Sequence, residues 1–313
     1  MQTIGPRFSV LVTSYNYRRY LVEALESVLA QSSPPLELVI VDDGSTDGSR
    51  ELLQDEFARR ATVRLVFKEN GGQLSALAAG VAECRGDIIC FLDADDFWEP
   101  DYLAQLAATY REHPEADLVF ANLRYFGARE GYWSTDTCDR DCGLTALAAV
   151  FGRQWLGSPT SALSMRSTLA RRVVDLPPDF HADWRTRADD CLVFGAAALG
   201  GRKHYRSIIA GGYRSHDANH WLSVPESRTD ALAYIYRVQR LLAHYRLKCG
   251  FDAKSLCYCK LEFKTQPTPN RESLHLYLKL LRQAPMPWIT RVEHNLSMRR
   301  HYLRKQNGAK QRN

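Results

Sequence analysis

The chain has 313 residues, a net charge of +5, 45% apolar residues and 25% charged residues. That length buries a sizeable core, and that composition excludes a disordered or fibrous chain. The charge is unevenly spread: Arg228 to Asn313 holds 18 Lys/Arg against 5 Asp/Glu, whereas Met1 to Ser227 holds 23 against 31. A mildly acidic body thus carries a basic C-terminal region, which either meets an anionic partner or is a solvated helical face. No run of 18 apolar residues occurs, so no membrane-spanning helix is expected. Met1–Arg7 does not open a secretory signal, so a cytoplasmic location and reduced thiols are expected. The pairs Cys138/Cys142 and Cys257/Cys259 lack a zinc-site spacing.

In chain order, Phe8 to Thr13 is apolar and rich in β-branched residues, which predicts a buried strand. Tyr20 to Gln31 places Leu21, Ala24, Leu25, Val28 and Leu29 at helical spacing, and Pro34-Pro35 stops the helix. A second strand, Leu36 to Val41, runs into the turn Asp42 to Gly48, where Thr46 or Asp47 is placed to cap a helix from Ser49. Thr62 to Phe67 is the third strand, Gln73 to Cys84 an alanine-rich helix, and Asp87 to Leu92 the fourth strand. Pro100 is expected as the first residue of the helix that continues through His113. Strands alternating with helices over short links imply a mainly parallel, Rossmann-like α/β sheet with helices on both faces.

Beyond Asp117 the rhythm loosens. Leu118–Ala121 and Ser161–Met165 read as strands, Leu144–Phe151 and Ala188–Leu199 as helices, and Arg202–Arg214 as one or two strands. Asp230–Leu247 and Arg271–Leu281 read as amphipathic helices, and the basic end from Met298 is expected to fray. The division expected is a catalytic body, 1–224, and a basic, mostly helical extension, 225–313.

In parallel sheets the ligand crevice lies at the carboxyl ends of the strands. Three polar segments end strands there: Thr13 to Asn16, Asp42-Asp43, and Asp93-Ala94-Asp95-Asp96. Three carboxylates within four residues repel one another unless protons or a cation neutralise them. Oxygen ligands suit Mg2+ or Mn2+, so Asp95 with Asp93 is a candidate metal grip on a diphosphate, set against a plain solvated acidic turn.

Phe8-Ser-Val-Leu-Val-Thr-Ser-Tyr-Asn16, Val39-Ile-Val-Asp-Asp-Gly-Ser-Thr-Asp47, Asn70-Gly-Gly-Gln73 and Phe91-Leu-Asp-Ala-Asp-Asp96 together resemble the successive signatures of the family-2 inverting glycosyltransferases, which have the GT-A fold. Looser similarity runs to about Trp221. The resemblance implies transfer of a sugar, with inversion, from a nucleotide-diphospho-sugar, UDP-sugar first, to a glycan or lipid-linked acceptor, in cell-surface polysaccharide or glycolipid synthesis. By the same resemblance Thr13 and Tyr15 hold base and ribose, Asp43 with Asp42 accepts from the base, and Asp93 and Ala94 contact the donor. Asp95 ligates the metal, while Asn70 and Gln73 line the crevice. An inverting transfer needs a carboxylate to deprotonate the acceptor hydroxyl. That base is expected in Arg187-Ala-Asp-Asp-Cys-Leu192, Asp190 ahead of Asp189, although both could merely complement a helix dipole. Asp183-Trp184 is guessed to be acceptor wall. Gly212-Tyr-Arg-Ser-His216, with Asn219 beyond, resembles a late family segment, so His216 is a third candidate metal ligand and Arg214 a candidate phosphate partner. Many relatives carry Arg-Asn in the helix after Gln73, where this chain has Leu77-Ala78, so that arginine's work must fall elsewhere.

The basic region is expected to dock on an anionic membrane face, its alternative being packing on the body or a dimer surface. No nucleic-acid motif accompanies it. Two rivals are a nucleotidyltransferase of similar sheet architecture, which lacks its Gly-rich phosphate loop here, and a non-catalytic nucleotide-sugar or partner-binding protein.

Overall fold

A computed structural model describes residues 5–216 and 227–310. Ten strands form one sheet: β1 (Phe8–Ser14), β2 (Glu37–Asp42), β3 (Val63–Phe67), β4 (Ile88–Asp93), β5 (Phe97–Trp98), β6 (Leu118–Gly127), β7 (Gly131–Tyr132), β8 (Arg140–Gly143), β9 (Leu163–Arg166) and β10 (Lys203–Ser215). The main order is β3-β2-β1-β4-β9-β6-β10-β5, with β7 on β6 and β8 on β10. The long registers, β3-β2-β1-β4 and β6-β10, are parallel. Short β9 runs antiparallel between β4 and β6, and thereby joins the two parallel halves.

Both faces of the central strands are apolar, as expected of a sheet covered on both sides. Leu11, Val39, Val41, Ile89 and Phe91 face the helices Gln73–Glu83, Ser167–Val174 and Asp189–Ala198. Val10, Val12, Leu38, Ile40 and Leu92 face Arg18–Leu29 and Tyr102–Glu112. Helix Arg18–Leu29 buries Leu21, Ala24, Leu25 and Val28, the stripe legible in the sequence. Leu77, which stands where many relatives carry arginine, is buried in this core.

Some expectations shift. Pro100 precedes Asp101, the N-cap of helix Tyr102–Glu112, so it lies outside the first turn. Arg202–Arg214 resolves as one strand, β10, with two register shifts against β6. The end from Met298 is helical through Lys310 instead of frayed, because the helix Trp288–Lys310 is anchored by fully buried Met298.

The C-terminal helices are packed on the body. Helix Arg228–Lys248 buries Leu241 and Tyr245 in the main core. Helices Cys259–Lys264 and Arg271–Gln283 form a third cluster with Leu147 and Ala148 of helix Ala146–Gly152. Glu262 caps that last helix from a distance: its carboxylate accepts from the N–H of Leu147 at 2.9 Å and of Ala148 at 3.2 Å, and from the Tyr277 hydroxyl at 2.7 Å. A carboxylate on those otherwise unpaired amides also meets the positive end of the helix dipole. The expected boundary at 224/225 and Asn219 lie outside the described residues. All eight cysteines are thiols.

Candidate active site

The carboxyl ends of β1, β2 and β4 open onto a cavity of about 700 Å³. Thr13, Tyr15, Asp43 and Asn70 line one part of it; Gln73, Asp93, Ala94 and Asp95 line the floor; Asp189 and Asp190 close the far side. Residues from five separate segments thus meet in one place. The parallel order makes this happen, since every strand ends with its polar turn on the same edge.

Each acidic group has a distinct environment. Asp43 is buried, and its carboxylate accepts from Lys68 Nζ at 2.6 Å, Gly71 N–H at 3.0 Å and Gly72 N–H at 2.7 Å. Asp42 is wholly buried and does not reach the cavity; Oδ1 accepts from Ser45 N–H at 3.0 Å, while Oδ2 has no partner. Asp93 accepts from Gln73 Nε2 at 3.1 Å, and burial, with Asp95 and Asp189 nearby, pushes its carboxyl up to about 8. Asp96 turns away from the cavity: Ser161 Oγ donates to it at 2.5 Å and the Arg214 N–H at 2.8 Å, and burial beside Asp95 and Asp93 raises its carboxyl well above the usual range. Asp95 Oδ2 lies 3.0 Å from His216 Nε2. Three acids crowded at a strand tip at this energetic cost are a site asking for a positive charge.

Arg214 sits behind the acidic run rather than in the cavity. Its Nε donates to the Asp95 carbonyl at 2.7 Å, its terminal nitrogen pairs with Glu23, and its guanidinium packs over Tyr20 and Phe126. Trp184 is fully buried in the core and Asp183 pairs with Arg240 on helix Arg228–Lys248, so neither lines the cavity.

The segment bearing Asp189 and Asp190 docks directly on the Asn70–Gln73 turn. Gln73 N–H donates to the Arg185 carbonyl at 2.9 Å, and Leu74 N–H to the Trp184 carbonyl at 3.1 Å. Gly72, with φ +87°, is required here twice over: a Cβ would stand 2.5 Å from Arg185 Cα, and its backbone is left-handed. Gln73 then ties the two halves together, because its amide donates to Asp93 while its Oε1 accepts from Ala188 N–H at 2.9 Å. One side chain therefore sets the spacing between the β4 tip and the start of helix Asp189–Ala198.

Asp190 is buried, and its Oδ2 has no hydrogen-bond partner; Arg187 Nε stands 3.7 Å away. Burial raises its carboxyl and the Arg187 charge opposes that rise. Burial and the neighbouring Asp190 push Asp189 up to about 7. A buried carboxylate oxygen without a donor, facing a cavity, is costly for stability and is kept where it has chemistry to do.

Several lining residues escaped the sequence reading. Tyr17, Trp133, Trp155, Tyr213 and Tyr234 form an aromatic wall, with Trp133 6.4 Å from both Trp155 and Tyr213 between ring centroids. Tyr234 comes from helix Arg228–Lys248, so the C-terminal region contributes to the cavity. Arg185 and Arg187 supply cationic lining, Arg185 bonded to Asn70 and Arg187 stacked 3.9 Å over Tyr234. The Arg187-Ala-Asp-Asp190 segment itself was the available signal for Arg187. Nothing local marks Tyr17, Trp133 and Trp155, which lie on connections, or Tyr234, on a helix assigned to the tail; Tyr213 lies on β10, within the Gly212-Tyr-Arg-Ser-His216 segment.

The model of glycosyl transferase family 2 matches residues 9–173, more than half of the chain. An uncharacterized glycosyltransferase of Nostoc sp. is 31% identical over 261 residues, covering 79% of this chain and 78% of that protein. The chain belongs to glycosyl transferase family 2. It is a glycosyltransferase, and its chemistry is sugar transfer. Escherichia coli chondroitin synthase is 37% identical over 126 residues, which cover 40% of this glycosyltransferase but only 18% of that protein. S. aureus TarS, crystallised with UDP, superposes with a TM-score of 0.54 at 18% identity, over 98% of this chain and 92% of that one. At that identity the likeness is one of fold, and the fold is GT-A.

Proposed function

We propose that this glycosyltransferase takes a sugar from a nucleotide-diphospho-sugar, UDP-sugar first, and delivers it with inversion to an acceptor hydroxyl with the help of Mg2+ or Mn2+. The observation that carries this reading is the meeting, in one cavity, of a crowded acidic strand tip and the buried carboxylate of Asp190, flanked by Arg187. A UDP complex of TarS, of like fold, and a UDP-GlcNAc complex of the same protein favour that donor class. A role in polysaccharide synthesis accords with the partial match to chondroitin synthase and to a teichuronic acid biosynthesis glycosyltransferase of Bacillus subtilis, 40% identical over 99 residues.

The donor set suits a hard divalent cation. Asp95 Oδ2 and His216 Nε2 are 3.0 Å apart, and ligands at adjacent octahedral positions around Mg2+ stand about 3 Å apart. Asp95 and His216 would hold the ion, with Asp93 beside them. When bound, the cation supplies charge neutralisation for the departing diphosphate. Tyr15, 46% exposed at the rim, offers a face for the base. Thr13, Asn70 and Asp43 flank it; Asp43 spends most of its acceptor capacity on the Asn70–Gln73 turn, so it shapes this subsite as much as it binds there. Arg185 is the cation best placed to take the role that Leu77 cannot fill.

On the acceptor side, Trp133, Trp155, Tyr213 and Tyr234 provide flat apolar faces for a sugar ring and exclude water from the reacting hydroxyl. Asp190 Oδ2 takes the hydroxyl proton as the oxygen attacks the anomeric carbon from the side opposite the diphosphate. Arg187 keeps Asp190 ionised and oriented, and Asp189 stands second for the same task. Gln73 holds the donor floor and the base at a fixed separation.

We assign residues 1–224 to donor binding and chemistry and 225–313 to a helical extension that completes the cavity through Tyr234. No helix of the described residues is long and apolar enough to cross a membrane. The last helix exposes Trp288, Ile289, Val292, Leu296 and Leu303, with Arg299, Arg300 and Arg304 beside them, an amphipathic face suited to an anionic lipid surface that presents a lipid-linked acceptor. Salt-sensitive liposome binding should fall sharply in a Trp288→Ser/Ile289→Ser variant; equal binding would remove this part.

The test of the main reading is turnover with a panel of UDP-, GDP- and dTDP-sugars and the anomeric configuration of the product by NMR. Product of inverted configuration, formed only with Mg2+ or Mn2+, is expected. Retained configuration, or undiminished turnover in a chelator, would refute it.

A further inference from the structure

A second cluster of ligand-type side chains lies at the opposite edge of the sheet. His113 caps the C-terminus of helix Tyr102–Glu112, Glu115 follows in the connection to β6, and His204 is the second residue of β10. His113 Nδ1 is 3.5 Å from Glu115 Oε1, and His204 Nε2 is 3.4 Å from the same oxygen. The ligand atoms of all three lie within 4.8 Å of one another. The imidazole rings are 4.4 Å apart between centroids.

Two features separate this cluster from an ordinary surface ion pair. His204 is 2% exposed, yet its Nε2 has no hydrogen-bond partner; a buried ring nitrogen is rarely left so. The spacings are also too long for hydrogen bonds and match the edge of a tetrahedron around zinc, about 3.3–3.4 Å for ligands at 2.0–2.1 Å. Asp141 Oδ1 lies 3.4 Å from His204 Nε2 on β8, and is held there by Gly143 N–H at 2.8 Å, with Arg202 on its other oxygen at 2.5 Å.

We propose that His113, Glu115 and His204 form a binding site for a borderline divalent transition metal of the Zn2+ class, independent of the catalytic cavity. Two imidazoles and one carboxylate are the donor set such ions select, and the half-exposed sides of His113 and Glu115 leave a fourth position to water. The ligands come from a helix end, a connection and the start of β10, so a bound ion would tie the amino ends of β6 and β10 to helix Tyr102–Glu112. It lies apart from the cavity: His216, beside the cavity-lining Asp95, follows the other end of β10, on the order of 30 Å along the strand. The site is thus structural. It rests on this cluster alone and stands whatever the sugar donor proves to be.

The experiment is titration of the metal-stripped full-length protein with Co2+, read by the visible absorption of tetrahedral cobalt, followed by displacement with Zn2+. The expected result is one tetrahedral Co2+ per chain, unchanged in Asp95→Asn, with affinity at least tenfold weaker in His113→Ala and in Glu115→Gln. Zn2+ should raise the melting temperature of the wild type but not of His113→Ala; both substituted side chains are half exposed, so folding is preserved. Absence of the tetrahedral spectrum, equal affinity in His113→Ala, or loss of the site in Asp95→Asn would each overturn the proposal.

Discussion

The tips of β2 and β4 carry acidic runs of the same kind at the same edge of the sheet, and they do opposite things. At the β2 tip, Asp43 is met by an ammonium and two backbone N–H groups, and Asp42 is sealed below it. Those carboxylates hold a turn. At the β4 tip, burial and the neighbouring Asp95 raise Asp93 and Asp96, and Asp93 has its carboxyl pushed up to about 8. Adjacent Asp residues after an apolar strand are therefore not one signal. The donors differ in charge: the Lys68 ammonium meets Asp43, whereas neutral Gln73 and Ser161 meet Asp93 and Asp96.

Substitutions at each tip and at Asp190 test this difference. The largest effect is expected at Asp190→Asn, where turnover should fall by about 10²–10⁴-fold, the usual worth of a general base, with thermal stability equal to wild type or higher. Relief of the burial cost of a charged carboxylate is the reason, and a melting curve beside a turnover assay checks both halves. Asp43→Ala should show its main effect on stability. Removing a buried, ion-paired carboxylate leaves Lys68 and two amides unmatched, and chemical denaturation should register a loss of about 3–5 kcal/mol. Gln73→Leu comes next: loss of the bridge between Asp93 and Ala188 should lower turnover roughly tenfold or more through misplacement, with the nucleotide's affinity changed far less than kcat. Asp42→Asn should be smallest, within about 1 kcal/mol of wild type with turnover intact, because Asp42 does not reach the cavity. Asp42→Asn abolishing turnover at unchanged stability would erase the distinction between the two tips.

The fold was legible wherever a strand is a long apolar run and a helix shows a clean stripe. Phe8–Thr13, Leu36–Val41 and Asp87–Leu92 announced β1, β2 and β4, and the alternation with helices gave their parallel order. The two-residue strands β5 and β7 have no pattern to read, and β9 reverses direction in four residues, which no periodicity encodes. Trp288–Lys310 was expected to fray at its end because its charge hides one buried anchor, Met298. At the site, the carboxylates were visible in sequence because strand ends share an edge. The aromatic wall was not, since Trp133 and Trp155 lie on connections and Tyr234 lies on a helix assigned to the tail. His204 and Glu115 meet only through the pairing of β6 with β10. Arg214 was expected in the donor site, yet the structure spends it on Glu23 and the Asp95 carbonyl; a short motif reveals a residue's neighbourhood and not the direction of its side chain.

The most direct test of the division of labour in the cavity is calorimetric titration of UDP-sugar into wild type, Asp95→Asn and Asp190→Asn, each with and without Mn2+. Mn2+-dependent binding is expected in the wild type, with its loss in Asp95→Asn and its retention without turnover in Asp190→Asn. Donor binding of equal strength in Asp95→Asn with and without Mn2+ would contradict it.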